Sequence, residues 1–357
     1  MNRELIGKRI KAIRQKLNEK KIDCLIITKP ANVTYTTGFM GDDSWAVISK
    51  RAVYLLTDSR YTEQAQKECI GCGIIKRKDS IAEAAAKLLK KLKTVEAVAV
   101  EKSTTVATFG ALKKQLKLRL KTIAGVIEAQ RECKDNKEIS TIKAAASIST
   151  RALKKIQRYV KAGVTESELA GRLDFEIRKL GARNSFETIV AFGPNASRPH
   201  HQPSERRLRN RDTVLIDFGA RYKGYCSDIT RSFAVGKPTR LFEKAYDAVE
   251  HAQAAAIMMI KAGAKIQEVD AAARDAIRKC DLPVYEHGTG HGFGLEIHEL
   301  PFLKADAKGR LKAGEVLTVE PGIYLPGKLG VRIEDDVLVT ETGHKILTRS
   351  CPHTLTI

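Results

Sequence analysis

The chain has 357 residues, 43% hydrophobic and 29% charged, with 63 Lys+Arg against 42 Asp+Glu, a formal net charge of +21 and a pI near 9.6. That length carries two domains with full cores, and the ordinary Gly, Pro and Cys content excludes a disordered, collagenous or disulfide-stapled chain. No apolar run reaches the about 18 residues of a membrane span, and the segment 1–10 is charged with no signal-peptide core, so a soluble cytoplasmic protein is expected.

Along the chain, Leu5, Ile6, Ile10, Ile13 and Leu17 share one helical face, and the apolar run 22–28 follows. Strands are expected at 46–49, 53–57 and 97–101, and helices at about 81–92 and 106–118. This α/β unit closes near 126–130. The polar stretch 131–137 reads as a linker before a long helical pattern, which places the domains at 1–130 and 131–357. The first 130 residues hold 26 Lys/Arg against 13 Asp/Glu, densest in Lys113-Lys114-Gln115-Leu116-Lys117-Leu118-Arg119-Leu120-Lys121. Bases alternating with leucines, without interleaved aromatics, describe a solvated amphipathic element, not a nucleic-acid stacking platform. Non-specific attraction to polyanions at low salt is all that the charge implies. Seven scattered cysteines read as reduced and mostly buried, and Cys69-Ile-Gly-Cys72 stands alone without a second pair.

The second part reads as an internal duplication. Lys161-Ala162-Gly163 recurs as Lys261-Ala262-Gly263, each closing one long helix and opening a shorter one, expected at 166–180 and 267–279. A histidine-bearing segment follows in each half, at His200-His201 and at 287–298. Two strand-like runs with a pair of carboxylates come next. These are Asp217 and Asp228 in the runs 214–220 and 226–233, then Glu320 and Glu334 in the runs 316–324 and 330–339.

An unpaired carboxylate in an apolar strand is costly, and a buried ion pair with an arginine explains any single case. Four acids in two hairpins put several negative charges in one core, and divalent cations are the simplest compensation. The segment His287-Gly-Thr-Gly-His291-Gly-Phe-Gly-Leu-Glu-Ile-His298 adds imidazole ligands. Its glycines oppose a helix, so it is not the helical H-E-x-x-H motif, and its alternation fails the dinucleotide pattern. Mostly oxygen ligands with a single imidazole suit manganese, cobalt or zinc. Metal-assisted hydrolysis is therefore the leading reaction class, with two metals about 3.5–4 Å apart able to clamp a reacting oxygen.

These residues carry a family resemblance. The strings Phe186-Glu-Thr-Ile-Val-Ala-Phe-Gly-Pro-Asn195, Asp217-Phe-Gly-Ala, Ser227-Asp228-Ile-Thr-Arg, 287–299, Val319-Glu320-Pro-Gly-Ile-Tyr324 and Gly330-Val-Arg-Ile-Glu334-Asp-Asp resemble the pita-bread metallopeptidases, in the aminopeptidase P and prolidase branch. The match spans the second domain in order, and the first resembles the creatinase-type N-terminal domain of this branch. The resemblance implies an α/β N-terminal domain followed by an α+β, pseudo-twofold catalytic domain. It implies two divalent metals, manganese first and cobalt or zinc next, ligated by Asp217, Asp228, His291, Glu320 and Glu334. Asp228 and Glu334 would bridge them, and Glu320 would also move protons from a bridging hydroxide. His200, His287 and His298 match the histidines that hold substrate and stabilise the tetrahedral intermediate. Members often dimerise, so a homodimer is expected.

The resemblance further implies hydrolysis of the bond between an N-terminal residue and a following proline, whose nitrogen offers no N–H to an enzyme. A strict dipeptidase should neutralise the free proline carboxylate, preferably with a forked arginine. Small prolidases typically carry that Arg just after H-E-x-P; here His298-Glu-Leu-Pro301 is followed by Phe302. The aminopeptidase is therefore the main reading and the Xaa-Pro dipeptidase the alternative, with Arg332 or the basic first domain as other sources of charge. Arg332 also reads as a partner for Glu334 or a neighbouring acid, Tyr222 and Tyr225 as packing in a hairpin turn, and Trp45 as a core or surface aromatic. A non-catalytic binding module should have lost metal ligands, and none is lost. A creatinase-like hydrolase should lack the set, and a methionine aminopeptidase should lack the first domain.

Overall fold

The computed structural model describes residues 3–92, 95–116 and 118–357; Met1, Asn2 and the Lys117 of the basic string lie outside the described residues. The chain divides into two compact units, Met1–Arg131 and Glu132–Ile357. No helix among the described residues is long and apolar enough to cross a membrane.

In the first unit a six-stranded sheet runs in the order Gly73–Lys76, Val53–Thr57, Trp45–Ser49, Cys24–Ile27, Ala97–Glu101, Arg119–Ile123. Trp45–Ser49 is antiparallel to both neighbours and the remaining pairs are parallel. Cys24–Ile27 is buried at every position, as a strand covered on both faces must be. The expected helix at 106–118 ends at Gln115, and Arg119–Ile123 pairs as an edge strand. The reason lies in the period. Leu116 is buried and Leu118 and Leu120 pack on the core while Arg119 is exposed, which is alternation by two rather than by 3.6. The short helices Pro30–Thr37 and Thr62–Glu68 and the strand Gly73–Lys76 have no counterpart in the sequence reading. Trp45 is partly buried against the core, and all seven cysteines are free.

The stretch read as a linker is largely structured. The helix Glu128–Glu132 occupies its start, and Asp135 opens the helix Asn136–Ile156 through a capping box with Glu138.

The second unit repeats one pattern twice. Asn136–Ile156 followed by Glu166–Lys179 corresponds to Arg240–Met259 followed by Ile266–Arg278. The Lys-Ala-Gly strings form the same latch in both halves. Gly163 N–H donates to Leu208 O (2.9 Å) and Gly263 N–H to Leu311 O (2.8 Å). Arg207 donates to Gly163 O (2.8 Å) and Arg310 to Gly263 O (2.6 Å). Both glycines sit at positive φ, 96° and 85°, where a Cβ would be strained. Each half has its own apolar core, one around Leu153, Leu173 and Phe192, the other around Val249, Ile277 and Val337.

The acid-bearing runs are interrupted strands. Thr213–Phe218 pairs with Ile189–Phe192 and Ile229–Ala234. The expected run 316–324 splits into Val316–Val319 and Gly322–Leu325, and 330–339 splits into Leu329–Arg332 and Asp335–Val339. The two inner pieces, Gly322–Leu325 and Leu329–Arg332, pair as a separate ribbon, while the flanking Val316–Val319 and Asp335–Val339 belong to a five-stranded sheet.

Candidate metal centre

Three of the four acids sit where the strands break. Asp228 lies between Tyr225–Cys226 and Ile229–Ala234, Glu320 just after Val316–Val319, and Glu334 just before Asp335–Val339. There the backbone leaves the ladder and a side chain can turn inward. Asp217 is the exception, within Thr213–Phe218 opposite Thr230. His291 lies at a bulge in Gly290–Gly292. The glycines around it are required by close approach: a Cβ on Gly290 would stand 1.9 Å from Thr318 O, and one on Gly292 2.2 Å from Leu300 O.

One oxygen each of Asp228 and Glu334 and one ring nitrogen of His291 lie within 4.8 Å of one another. Asp217, Glu320, His200, His287 and His298 line the same cavity of about 510 Å³, so all eight residues singled out in the sequence face one space. Burial drives the carboxyls of Asp228 and Glu334 well above their usual range, and neighbouring acids add to it. Glu320 is raised for the same first reason. Burial lowers His291, His287 and His298, so their rings are neutral.

A cation fits this donor set on two observations. The Nδ1 of His291 meets Gly292 O at 3.1 Å, so it carries the proton, and the Nε2 lone pair faces Asp228 Oδ2 at 3.6 Å and Glu320 Oε1 at 3.5 Å. A neutral imidazole lone pair facing two carboxyl groups calls for a proton or a cation between them, and a cation can take the place of the protons that burial otherwise holds there. In addition, Asp217 Oδ1 is buried with no hydrogen-bond partner among the described residues, while its Oδ2 accepts from Arg332 Nη2 at 2.6 Å.

Arg332 pairs with Asp217, not Glu334. It also donates to Tyr324 Oη (2.8 Å) and Thr230 Oγ1 (3.1 Å), so its fork is committed. Burial opposes its charge, but Tyr324, Asp217, Glu320 and Glu334 hold the guanidinium protonated. His287 is engaged on both nitrogens, at Gly288 O (2.8 Å) and Tyr324 Oη (3.1 Å). Phe302, directly across the ladder from His291, lines the cavity and is 41% exposed. Tyr222 and Tyr225 pair across their turn, and Tyr225 Oη donates to Glu138 at 2.8 Å.

Sequence reasoning missed the residues that hold the acids. Thr230 Oγ1 donates to Glu334 Oε2 (2.6 Å), and Thr318 Oγ1 to Glu320 Oε1 (3.2 Å). The Arg231–Asp335 pair (2.8 Å) is buried, and Arg231 also donates to Glu334 O (2.6 Å). Burial would raise Asp335, yet Arg231, His353 and Thr348 hold it at about 2. A signal was available. Thr230 and Thr318 each stand two positions from Asp228 and Glu320, the spacing that puts side chains on one side of an extended chain, as it does for Arg332 and Glu334, where an acid partner is already expected.

The model of metallopeptidase family M24 matches residues 140–341, and that of the creatinase/prolidase N-terminal domain matches 9–133. The uncharacterized peptidase YqhT of Bacillus subtilis (strain 168) is 38% identical over 345 residues, 96% of this chain and 98% of the relative. The solved structure of an Xaa-Pro dipeptidase from Bacillus anthracis is similar at 38% identity and a TM-score of 0.94, covering 99% of this chain and 100% of that one. An X-Pro aminopeptidase from Thermotoga maritima MSB8 is similar at 35% identity and a TM-score of 0.87, covering 95% and 99%.

Proposed function

This chain belongs to metallopeptidase family M24 and carries the creatinase/prolidase N-terminal domain; on that premise we propose that it is an Xaa-Pro aminopeptidase, releasing the N-terminal residue from peptides with proline at the second position. The observation that carries this reading is the gathering of Asp217, Asp228, His291, Glu320 and Glu334 with three histidines on one cavity. The chemistry is assigned to residues 131–357.

Those five residues would hold two divalent cations, with Asp228, His291 and Glu334 at the centre of the set and manganese as the first choice for an oxygen-rich set with one imidazole. Two such cations would polarise the scissile carbonyl and activate the water that hydrolyses the bond. The protein's own groups do the rest. Glu320, whose carboxyl burial raises, takes and returns the proton that must reach the proline nitrogen. His298 and His200 offer N–H to the developing oxyanion. His287, bound on both nitrogens, fixes Tyr324 and through it Arg332.

Support for the longer substrate comes from Phe302 at the position where the resemblance calls for a forked arginine, and from the prior commitment of Arg332 to Asp217. One observation favours the dipeptidase instead: Lys304 also lines the cavity, and its partner Asp306, at 3.2 Å, is exposed. The deciding assay uses metal-stripped protein reloaded with manganese on Ala-Pro and Ala-Pro-Ala. Turnover of the tripeptide with little of the dipeptide is expected. Preference for the dipeptide makes the enzyme a prolidase, and activity on neither with manganese, cobalt or zinc overturns the peptidase reading.

A further inference from the structure

Glu166 is the first residue of Glu166–Lys179, is wholly buried, and does not line the cavity. Its carboxylate nevertheless gathers the segment that does. Oε1 accepts from Phe192 N–H (2.7 Å) and Asn195 Nδ2 (2.9 Å). Oε2 accepts from Ser204 N–H (3.0 Å) and Ser204 Oγ (2.5 Å) and meets His201 Nε2 at 2.8 Å. Five donors thus converge on one anion from both ends of the stretch 192–204, and the residues between them, Pro199 to Pro203, form the cavity wall that carries His200. Burial would raise this carboxyl, but His201, Ser204, Asn195 and Phe192 together hold it ionised.

The other half reaches the same result with different residues. Asp270, buried on Ile266–Arg278, accepts from Thr289 Oγ1 (2.7 Å) and pairs with Arg274 Nε (2.7 Å). The guanidinium of Arg274 donates onward to Tyr285 O (2.7 Å) and His287 O (2.6 Å). Each short helix of the duplication therefore sets a buried acid beneath its own histidine segment.

We propose that Glu166 is a positioning residue for His200, clamping the stretch 192–204 so that the imidazole stands ready at the cavity wall. The activity arm of its test rests on the peptidase reading; the exchange arm does not. Glu166→Gln preserves size but turns an N–H₂ toward donors. Hydrogen exchange of the manganese-loaded protein is expected to accelerate within 193–204 and not elsewhere. A displaced group costs about 10²-fold in rate when it moves about 1 Å, so kcat on Ala-Pro-Ala should fall about 10- to 100-fold with KM changed less than about threefold. Because Glu166 acts through His200, the double variant with His200→Ala should be no slower than the slower single variant, within about threefold.

Losses that multiply, or unchanged exchange and kcat, overturn the proposal. If Glu166→Gln does not fold, Ser204→Ala removes one of the five contacts, the Oγ donor, while keeping the backbone one, and must show faster exchange in the same segment, or the proposal fails. A wild-type protein inactive on proline peptides would remove the peptidase reading, and exchange in 193–204 would still decide the clamp.

Discussion

Loading the metal centre should stabilise the protein, and more so as pH rises. In the metal-free state Asp228, Glu320 and Glu334 are buried together, and burial raises all three carboxyls. A raised carboxyl binds its proton more tightly in the folded state than in the unfolded chain, where it titrates near about 4. Its contribution is complete below that pH and is lost as pH climbs through the folded value. Each group still protonated in the fold removes about 1.4 kcal/mol per pH unit over that window, and the three titrate as a set. Cations replace those protons, so their advantage grows with pH. At about 100 times the dissociation constant a single bound ion adds about 2.7 kcal/mol. For a unit the size of Glu132–Ile357, that is about 5–11 °C in Tm. Scanning calorimetry of chelator-treated and manganese-loaded protein at about pH 5.5 and about pH 8 reads this directly. Equal Tm values at the higher pH, or a wider gap at the lower one, would refute the reasoning.

Asp228→Asn and Glu334→Gln, assayed after metal loading, should each lose several kcal/mol of barrier lowering, about 10²- to 10³-fold in kcat; wild-type turnover in either removes the ligand assignment. Phe302→Arg should raise turnover of Ala-Pro relative to Ala-Pro-Ala by about tenfold, since a charge-assisted hydrogen bond is worth about 1.5–3 kcal/mol; an unchanged ratio excludes this position from substrate choice. Glu315 is wholly buried, its Oε1 has no hydrogen-bond partner among the described residues, and burial raises its carboxyl to about 7. Its proton favours the fold below about 4.5, and that contribution is lost as pH rises to about 7, so Glu315→Gln should gain about 2 kcal/mol at about pH 8 relative to about pH 5, read as a shift in denaturation midpoint. A midpoint change independent of pH would show that Glu315 keeps an ordinary carboxyl.

What the sequence disclosed and what it withheld divide along physical lines. The duplication was legible because Gly163 and Gly263 answer a backbone need, positive φ, that few other residues meet. The acids were legible because carboxylates in apolar runs demand a partner. The interruptions at Asp228, Glu320 and Glu334 were not, since an apolar run looks the same whether its backbone stays in one ladder or changes sheets. Glu166 was hidden by a stronger local signal: Thr165 and Glu168 form a capping box, and an acid in a first turn already has a reason to be there. Only the return of the chain over it, with Phe192, His201 and Ser204 arriving from outside the helix, gives that carboxylate a second use. The helix expected over 106–118 overshoots Gln115 for a simpler reason: nothing in its helical pattern marks where alternation by two takes over.

Placing Asp228, Glu320 and Glu334 in gaps between strands has a consequence for how the molecule can change over generations. A side chain carried by a gap can be exchanged without unravelling the backbone pairing on either side, so chemistry can be rewritten while the architecture persists. Asp217 has less freedom, because its side chain shares a sheet with the cross-strand residues Ile189 and Thr230 and must stay compatible with both. Descent with altered chemistry should therefore begin at the three gap positions and reach Asp217 last.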